Sequence, residues 1–219
     1  TREYINGFIK YEKNKYSDLI EIHNRPIYLK YLFNKLNSRT YTLFFHNDPL
    51  SMEGSKSIKD REFLLKNSYK IIFNSKWSKS RFLEGIDHKY INSEKLKIFY
   101  QSAKKGNVEN IKKKEKWITF VGKLNRAKGY DIFGQAVINV LNKNKDWIAK
   151  IVGDEKREKI NFSHDRIEKL GFLNHQKVLS IYKKSSIAVV CSRWDEPFGR
   201  TSLEASANGC AVIISNKGG

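Results

Sequence analysis

Short apolar runs alternate with amphipathic stretches along nearly the whole chain, and this alternation constrains the fold more than any other feature. Runs such as 41–45 (YTLFF), 70–73 (KIIF), 117–121 (WITFV) and 187–191 (IAVVC) are almost continuously hydrophobic, as strands covered on both faces are. Helical periodicity separates them, and strand, crossover, strand in that order is the βαβ signature of parallel sheets. The chain is therefore expected to be α/β, in two blocks. The first predicts a helix over 4–11, strand 18–23, a helix from Pro26 to about Leu36, strand 41–45, helix 58–66, strand 70–73, a helix capped by Asn74 or Ser75, and strand 96–100. The second predicts strand 117–121, a helix from about Gly129 with Ile132, Phe133, Ala136, Val137, Val140 and Leu141 on one face, and strand 147–152. After these come strand 167–171, helix 176–183, strand 187–191, helix 199–207 and strand 210–214. Residues 104–115 are polar and charged and read as a linker. The expected domains are thus 1–103 and 116–219. Both look incomplete: the first opens on a helix with no strand before it, and the second stops at Gly218-Gly219 where a loop and helix belong. A fragment lacking both ends is the expectation.

Composition removes several classes. Hydrophobic residues make up 40% of the 219 and there are only 3 Pro, which suits a packed core and not a disordered or fibrous chain. The 2 cysteines, Cys191 and Cys210, have no metal-ligand spacing, lie in apolar strands, and read as small core residues of a protein in a reducing compartment. No apolar run reaches the length of a membrane span, and Thr1-Arg2-Glu3-Tyr4 carries no signal-peptide pattern. The expected location is cytoplasmic.

A net charge of +19 invites nucleic acid or anionic lipid as partner. Its distribution argues against nucleic acid. Residues 1–103 carry +8, 104–115 carry +3 and 116–219 carry +8, and 32 of the 42 basic residues are Lys, the weaker choice for bidentate phosphate or guanine contacts. Solvated lysines on many faces are the main reading, with peripheral contact to an anionic inner membrane face as the second.

The segment that carries chemistry is Asp195-Glu196-Pro197-Phe198-Gly199-Arg200-Thr201-Ser202-Leu203-Glu204-Ala205, a turn from strand to helix. Ligands of open α/β sheets bind at the carboxyl ends of strands. The amides of Gly199, Arg200 and Thr201 fall where helical N–H groups lack intrahelical partners and attract anionic oxygen, so a phosphate fits there. Glu204 can accept hydrogen bonds from a diol, and Glu196 can reach a second polar group. The same spacing also fits a capping carboxylate followed by a solvated helix glutamate. A second cationic turn, Gly122 to Gly129, places Lys123 and Lys128 after the first strand of that block, where two ammoniums suit a diphosphate. It is neither a Walker loop nor a dinucleotide fingerprint, and taken alone it also fits ordinary surface lysines.

Together these pieces resemble the GT-B glycosyltransferases of family 4. The match is carried by Phe120-Val-Gly-Lys-Leu with Lys128-Gly129, Ile151-Val-Gly-Asp154, Leu170-Gly171, and Glu196-Pro-Phe-Gly-Arg-Thr-Ser-Leu-Glu204, which is the family's E-x7-E motif. In the first block, Phe45-His46 and more loosely His23-Asn24-Arg25-Pro26 and Phe73-Asn74-Ser75 look like the N-terminal domain. The resemblance implies two Rossmann-like domains and a retaining transfer of sugar from a nucleotide-diphosphate sugar to a hydroxyl of a glycan or lipid-linked acceptor, in lipopolysaccharide or surface polysaccharide synthesis. It implies that Glu204 binds the ribose, that Glu196 and His46 stand at the donor sugar, and that the amides from Phe198 to Thr201, with Lys123 and Lys128, hold the diphosphate. The main chain at Phe172 and Leu173 would border the base. Lys123 departs from the family, which commonly has Arg there, so a point charge replaces a bidentate contact. No cofactor or metal is implied, and no DxD motif is present. The implied mechanism has no protein nucleophile: the departing phosphate takes the acceptor proton.

Other marked residues read more plainly. His88, His164 and His175 lack partners at ligand spacing and are expected on the surface. Trp194 either shapes the donor pocket or packs. The rival functions are a nucleotide-sugar-binding fragment without catalysis, and a GT-B nucleotide-sugar epimerase that converts donor without an acceptor.

Overall fold

The structure, a computed structural model, describes residues 2–106 and 114–219. Two compact units divide the chain after Gln101. Most of the expected linker, residues 107–113, lies outside the described residues. Its described flanks belong to the second unit: the Gly106 amide donates to Ala207 O at 2.8 Å, and the Lys114 ammonium reaches four carbonyls there.

The first unit is built from α1 (Arg2–Asn14), β1 (Ile20–His23), α2 (Ile27–Phe33), β2 (Tyr41–Phe45), α3 (Ile58–Asn67), β3 (Lys70–Phe73), α4 (Lys76–Leu83) and β4 (Leu96–Ile98). The four strands form one parallel sheet in chain order. Leu43, Phe45, Ile71 and Phe73 from the two central strands are buried with Leu29, Leu64 and Phe82 from the helices, each contributing about 1.5–3 kcal/mol. β1 starts at Ile20 and not at residue 18, because its ladder with β2 begins at the pair Ile20 and Tyr41. Pro26 caps α2 rather than entering it, and α2 ends at Phe33. Of the two candidate caps of α4, Ser75 accepts from the Ser78 amide at 3.0 Å, which leaves the Asn74 side chain for other work.

The second unit contains β5 (Glu115–Val121), α5 (Tyr130–Lys143), β6 (Ile148–Val152), β7 (Ile167–Lys169), α6 (His175–Lys184), β8 (Ser185–Val190), α7 (Arg200–Ala207) and β9 (Ala211–Ile214). Its sheet is parallel throughout, in the order β7-β6-β5-β8-β9. The chain moves outward from β5 to β7 and then returns to the other side of β5, so the order reverses between β5 and β8. The buried stripe of α5 is Tyr130, Phe133, Gly134, Val137 and Leu141; Ile132, Ala136 and Val140, expected on that face, are exposed. The apolar arc is centred one position away from the predicted one, because Tyr130 and Gly134 pack against Phe162. Among the described residues no helix is long and apolar enough to cross a membrane.

Candidate functional site

The strand order reverses between β5 and β8, and doubly wound sheets take their ligands outside the carboxyl ends of the strands at such a point. The turns after these two strands carry Lys123 and Lys128 on one side and Glu196 on the other. They are tied together by main chain. Gly129 has φ 72°, and a Cβ there would run into the main chain of Cys191, so only glycine lets the two turns approach this closely. The amides of Arg193 and Trp194 both donate to Ala127 O, at 2.9 and 3.0 Å. The Arg193 guanidinium forks onto Asp131 at 2.6 and 2.9 Å and donates to Arg126 O at 2.9 Å. That fork holds the Asp131 carboxyl below the usual range.

This stitching brings Lys128 onto Glu196. The Lys128 ammonium pairs with Glu196 Oε1, and the same oxygen accepts from Ser192 Oγ at 2.9 Å. Ser192 is itself fixed by Ser215 Oγ, which donates to its carbonyl at 2.6 Å. Gly218 approaches the main chain of Glu196 too closely for any side chain. Both contacts on the carboxylate fall on Oε1, so Oε2 faces neither. Glu204, with its side chain 14% exposed, repeats the pattern. Its Oε1 accepts from Arg200 Nε at 3.2 Å and Nη2 at 2.9 Å, and His175 Nε2 lies 3.2 Å away. Again Oε2 takes none of these contacts.

Gly199, at φ 83°, caps α7, and no side chain caps the amides of the first turn. Arg200 and Thr201 therefore present N–H groups at the helix start, with the half-buried Phe198 just before them. Lys123 is exposed, and among the described residues its ammonium pairs with no carboxylate. The Phe172 side chain is 77% exposed, whereas Leu173 packs into the core beside Val152 and Val178. Their turn abuts the one after β6, since the Gly153 amide donates to Gly171 O at 2.8 Å.

One histidine departs from expectation. His175 is exposed, as expected, but it has a partner: it faces Glu204, because Asn174 caps α6 through the Lys177 amide at 3.0 Å and starts the helix at His175. His164 lies mostly buried, with Nδ1 2.6 Å from Asp165 Oδ1, and takes a turn-forming role. His88 is exposed as expected. Cys210 is buried and Cys191 half-buried, both with thiols raised by burial; Cys191 follows β8 rather than ending it. Trp194 is half-exposed at 48%.

In the first unit, His46 follows β2 and every polar group on it is engaged. Its amide donates to Asn24 Oδ1 at 2.8 Å and its carbonyl accepts from Asn74 Nδ2 at 2.9 Å. Its ring meets His23 and Gln101. Burial, and then the neighbouring His23, hold His46 below the usual imidazole range. Asn24, at φ 52°, is the non-glycine residue with left-handed backbone among the described residues, a conformation asparagine tolerates. Sequence reasoning assigned no role to His23, Gln101, Ser192, Arg193 or Ser215. Among the described residues no cluster of three His, Cys, Asp or Glu could hold a metal.

The two parallel sheets are those of the GT-B glycosyltransferase fold. An Anabaena protein, HepE, solved with UDP and glucose, superposes with a TM-score of 0.71 at 18% identity, over 98% of this chain and 63% of that one. The UDP-forming trehalose-phosphate synthase of Burkholderia xenovorans has the same fold, with a TM-score of 0.71 at 11% identity, over 99% of this chain and 63% of that one. Residues 101–219 match the family described as Glycosyl transferases group 1. The chain belongs to that family. Spore coat protein SA of Bacillus subtilis is 23% identical over 92% of this chain and 60% of its own length. A lipopolysaccharide core biosynthesis mannosyltransferase of Rhizobium leguminosarum is 32% identical over 44% of this chain and 30% of its own. The chain thus spans 60% or less of these two relatives.

Proposed function

We propose that the chain carries donor-binding residues, over 116–219, and acceptor-side residues, over 1–103, of a retaining family 4 glycosyltransferase. The observation that carries this reading is the pairing of Lys128 with Glu196 at the point where strand order reverses. A cation, a carboxylate engaged at Oε1 and the uncapped amides of α7 lie on adjacent turns. That set suits a sugar linked to a diphosphate.

In this reading the diphosphate lies against the amides from Gly199 to Thr201, with Lys123 and Lys128 offsetting its charge. Glu204 Oε2 accepts from the ribose, Glu196 Oε2 from a sugar hydroxyl, and the main chain at Phe172 and Leu173 borders the base. His46 contacts the sugar. As the bond from the anomeric carbon to the phosphate oxygen breaks, the diphosphate leaves with the electron pair. The acceptor oxygen attacks the same face, and its proton passes to the departing phosphate oxygen. HepE, solved with UDP and glucose and also with UDP-glucose, supports a nucleotide-sugar donor, and the Rhizobium leguminosarum mannosyltransferase of lipopolysaccharide core biosynthesis supports a role in lipopolysaccharide or surface polysaccharide synthesis. The diffuse lysines add a peripheral, salt-sensitive attraction to anionic lipid on the cytoplasmic face.

Calorimetry with UDP and UDP-sugars tests the reading. Binding is expected to fall at least about tenfold in Glu204→Ala and in Lys128→Ala, on loss of a charge-assisted hydrogen bond. Unchanged affinity in both variants overturns it. Product analysis by mass spectrometry and NMR separates transfer to an acceptor from conversion of the donor alone, which an epimerase would give.

A further inference from the structure

At the carboxyl ends of β1 and β2, four side chains form one hydrogen-bonded row. Glu21 Oε2 lies 3.4 Å from His23 Nε2, His23 Nδ1 lies 3.0 Å from His46 Nε2, and His46 Nδ1 lies 3.3 Å from Gln101 Nε2. Both ends set the direction of the row, since an amide nitrogen only donates and a carboxylate only accepts. His46 Nδ1 is therefore an acceptor. A neutral ring then carries its hydrogen on Nε2 and donates it to His23 Nδ1, and His23 in turn donates from Nε2 to Glu21.

Stacking and main-chain clamps orient the two histidines of the row. The His23 ring stacks on Phe44, with centroids 4.3 Å apart and planes 4° apart, and lies 9° from the plane of His46. Parallel pairing sets His23 opposite Phe44, so the two histidines stand at neighbouring strand ends. Asn24 and Asn74 clamp the main chain of His46 from either side. Turning the His46 ring would break two hydrogen bonds while its backbone stayed fixed.

We propose that His23, oriented by Glu21, is a positioning residue for His46: it takes the Nε2 hydrogen of His46 and so fixes that ring as a hydrogen-bond acceptor at Nδ1. A ligand group that replaces the Gln101 amide at Nδ1 must be a donor. A neutral hydroxyl qualifies, and a phosphate oxygen or carboxylate does not. This deepens the transferase reading and rests on it, because it names the kind of atom His46 takes from the sugar. Burial, which lowers the His46 pKa and so favours the neutral ring, acts in the same direction.

Two measurements test the proposal. In the first, long-range proton–nitrogen NMR of the labelled chain is expected to find both His23 and His46 with hydrogen on Nε2, and His46→Phe is expected to shift the His23 Nδ1 resonance. Hydrogen on His46 Nδ1, or an unmoved His23 Nδ1, overturns the proposal whether or not the chain transfers sugar. In the second, His23→Phe and His23→Gln are compared in the transfer assay. Phe keeps the stack on Phe44 and loses the acceptor, whereas the Gln carbonyl still accepts from His46. Positioning predicts a kcat/KM about tenfold lower in the Phe variant, largely restored in the Gln variant. The opposite order, with Phe the better replacement, shows a packing role and overturns the proposal. Absence of transfer from every form, with the NMR pattern intact, favours a nucleotide-sugar-binding fragment without catalysis over a complete transferase and leaves the row assigned.

Discussion

Lys128 and Glu196 are 68 residues apart in sequence and meet because β8 lies beside β5. The pair offsets its own charges, so in the proposed site Glu196 competes with a diphosphate for Lys128. Glu196→Gln removes the competitor. Binding of UDP is expected to strengthen about two- to fivefold, the worth of a partly exposed ion pair. Transfer is expected to fall about ten- to a hundredfold, since the charge-assisted bond to the sugar hydroxyl is lost. Calorimetry and initial rates on the same preparation read the two effects; weaker UDP binding would mean that Glu196 does not restrain Lys128.

Acid is expected to weaken the first unit through Glu12. This carboxylate, 1% exposed, accepts from the Ser17 amide at 2.8 Å and from Arg39 Nε at 2.9 Å. Arg39 in turn stacks on Tyr16 at 3.6 Å. The Ser17 amide, outweighing burial, holds the Glu12 carboxyl below its ordinary value. With the folded pKa lowered, the unfolded chain binds the proton more readily, so the stabilisation is complete above about pH 4.5. It is lost as pH falls through the folded value. Glu12→Ala leaves Arg39 buried without its partner and is expected to cost about 3–5 kcal/mol, and urea titrations of the variant should lose the acid-side slope of the parent.

The central strands were legible because burial on both faces writes a continuous apolar run: β2, β3 and β5 lie where such runs predict them. Strand ends were less legible, since ladder partners set them and not local composition, as at Ile20. The α5 stripe was displaced because the side of a helix that counts depends on what lies beneath it, here Phe162. At the site, the spacing of Glu196 and Glu204 was visible on one turn and helix. Their anchors were not: Lys128 and Ser215 reach Glu196 and Ser192 only through the order of strands, which no local pattern states. His175 did carry a signal, the Asn174 cap immediately before it. His23 carried another, as a histidine ending one predicted strand while His46 followed the next.

Two glycines with the same handedness are expected to differ sharply. Gly129 and Gly171 have φ 72° and 66°. A Cβ at Gly129 would meet the Cys191 main chain, whereas at Gly171 nothing lies within 4 Å. Gly171→Ala should cost only the left-handed backbone, about 1–2 kcal/mol. Gly129→Ala adds a steric clash, for about 2–5 kcal/mol in all, and separates the turns that hold Lys128 and Glu196. Thermal melts rank the pair, and loss of UDP affinity in Gly129→Ala alone ties the close approach to the site.

Lys114 secures the opposite end of the second unit. Its ammonium donates to the carbonyls of Tyr182 at 2.9 Å, Lys183 at 3.1 Å, Ser185 at 2.8 Å and Asn208 at 2.9 Å. A cation so placed satisfies carbonyls that α6 and α7 leave open at their carboxyl ends. Burial pushes the ammonium below its ordinary pKa, yet its four acceptors keep it in place. Lys114→Met removes this donor from all four carbonyls, leaving only the weak Cys210 thiol on Tyr182 O and Ser185 O, and is expected to cost about 2–4 kcal/mol. Lys114→Arg should restore little, because a planar fork cannot converge on four acceptors arranged around a point. Hydrogen exchange locates the loss: protection should fall in α6 and α7, the helices bearing His175 and Glu204, while α5 keeps its own. Equal loss in all three helices would mean that Lys114 supports the whole unit rather than these two helix ends.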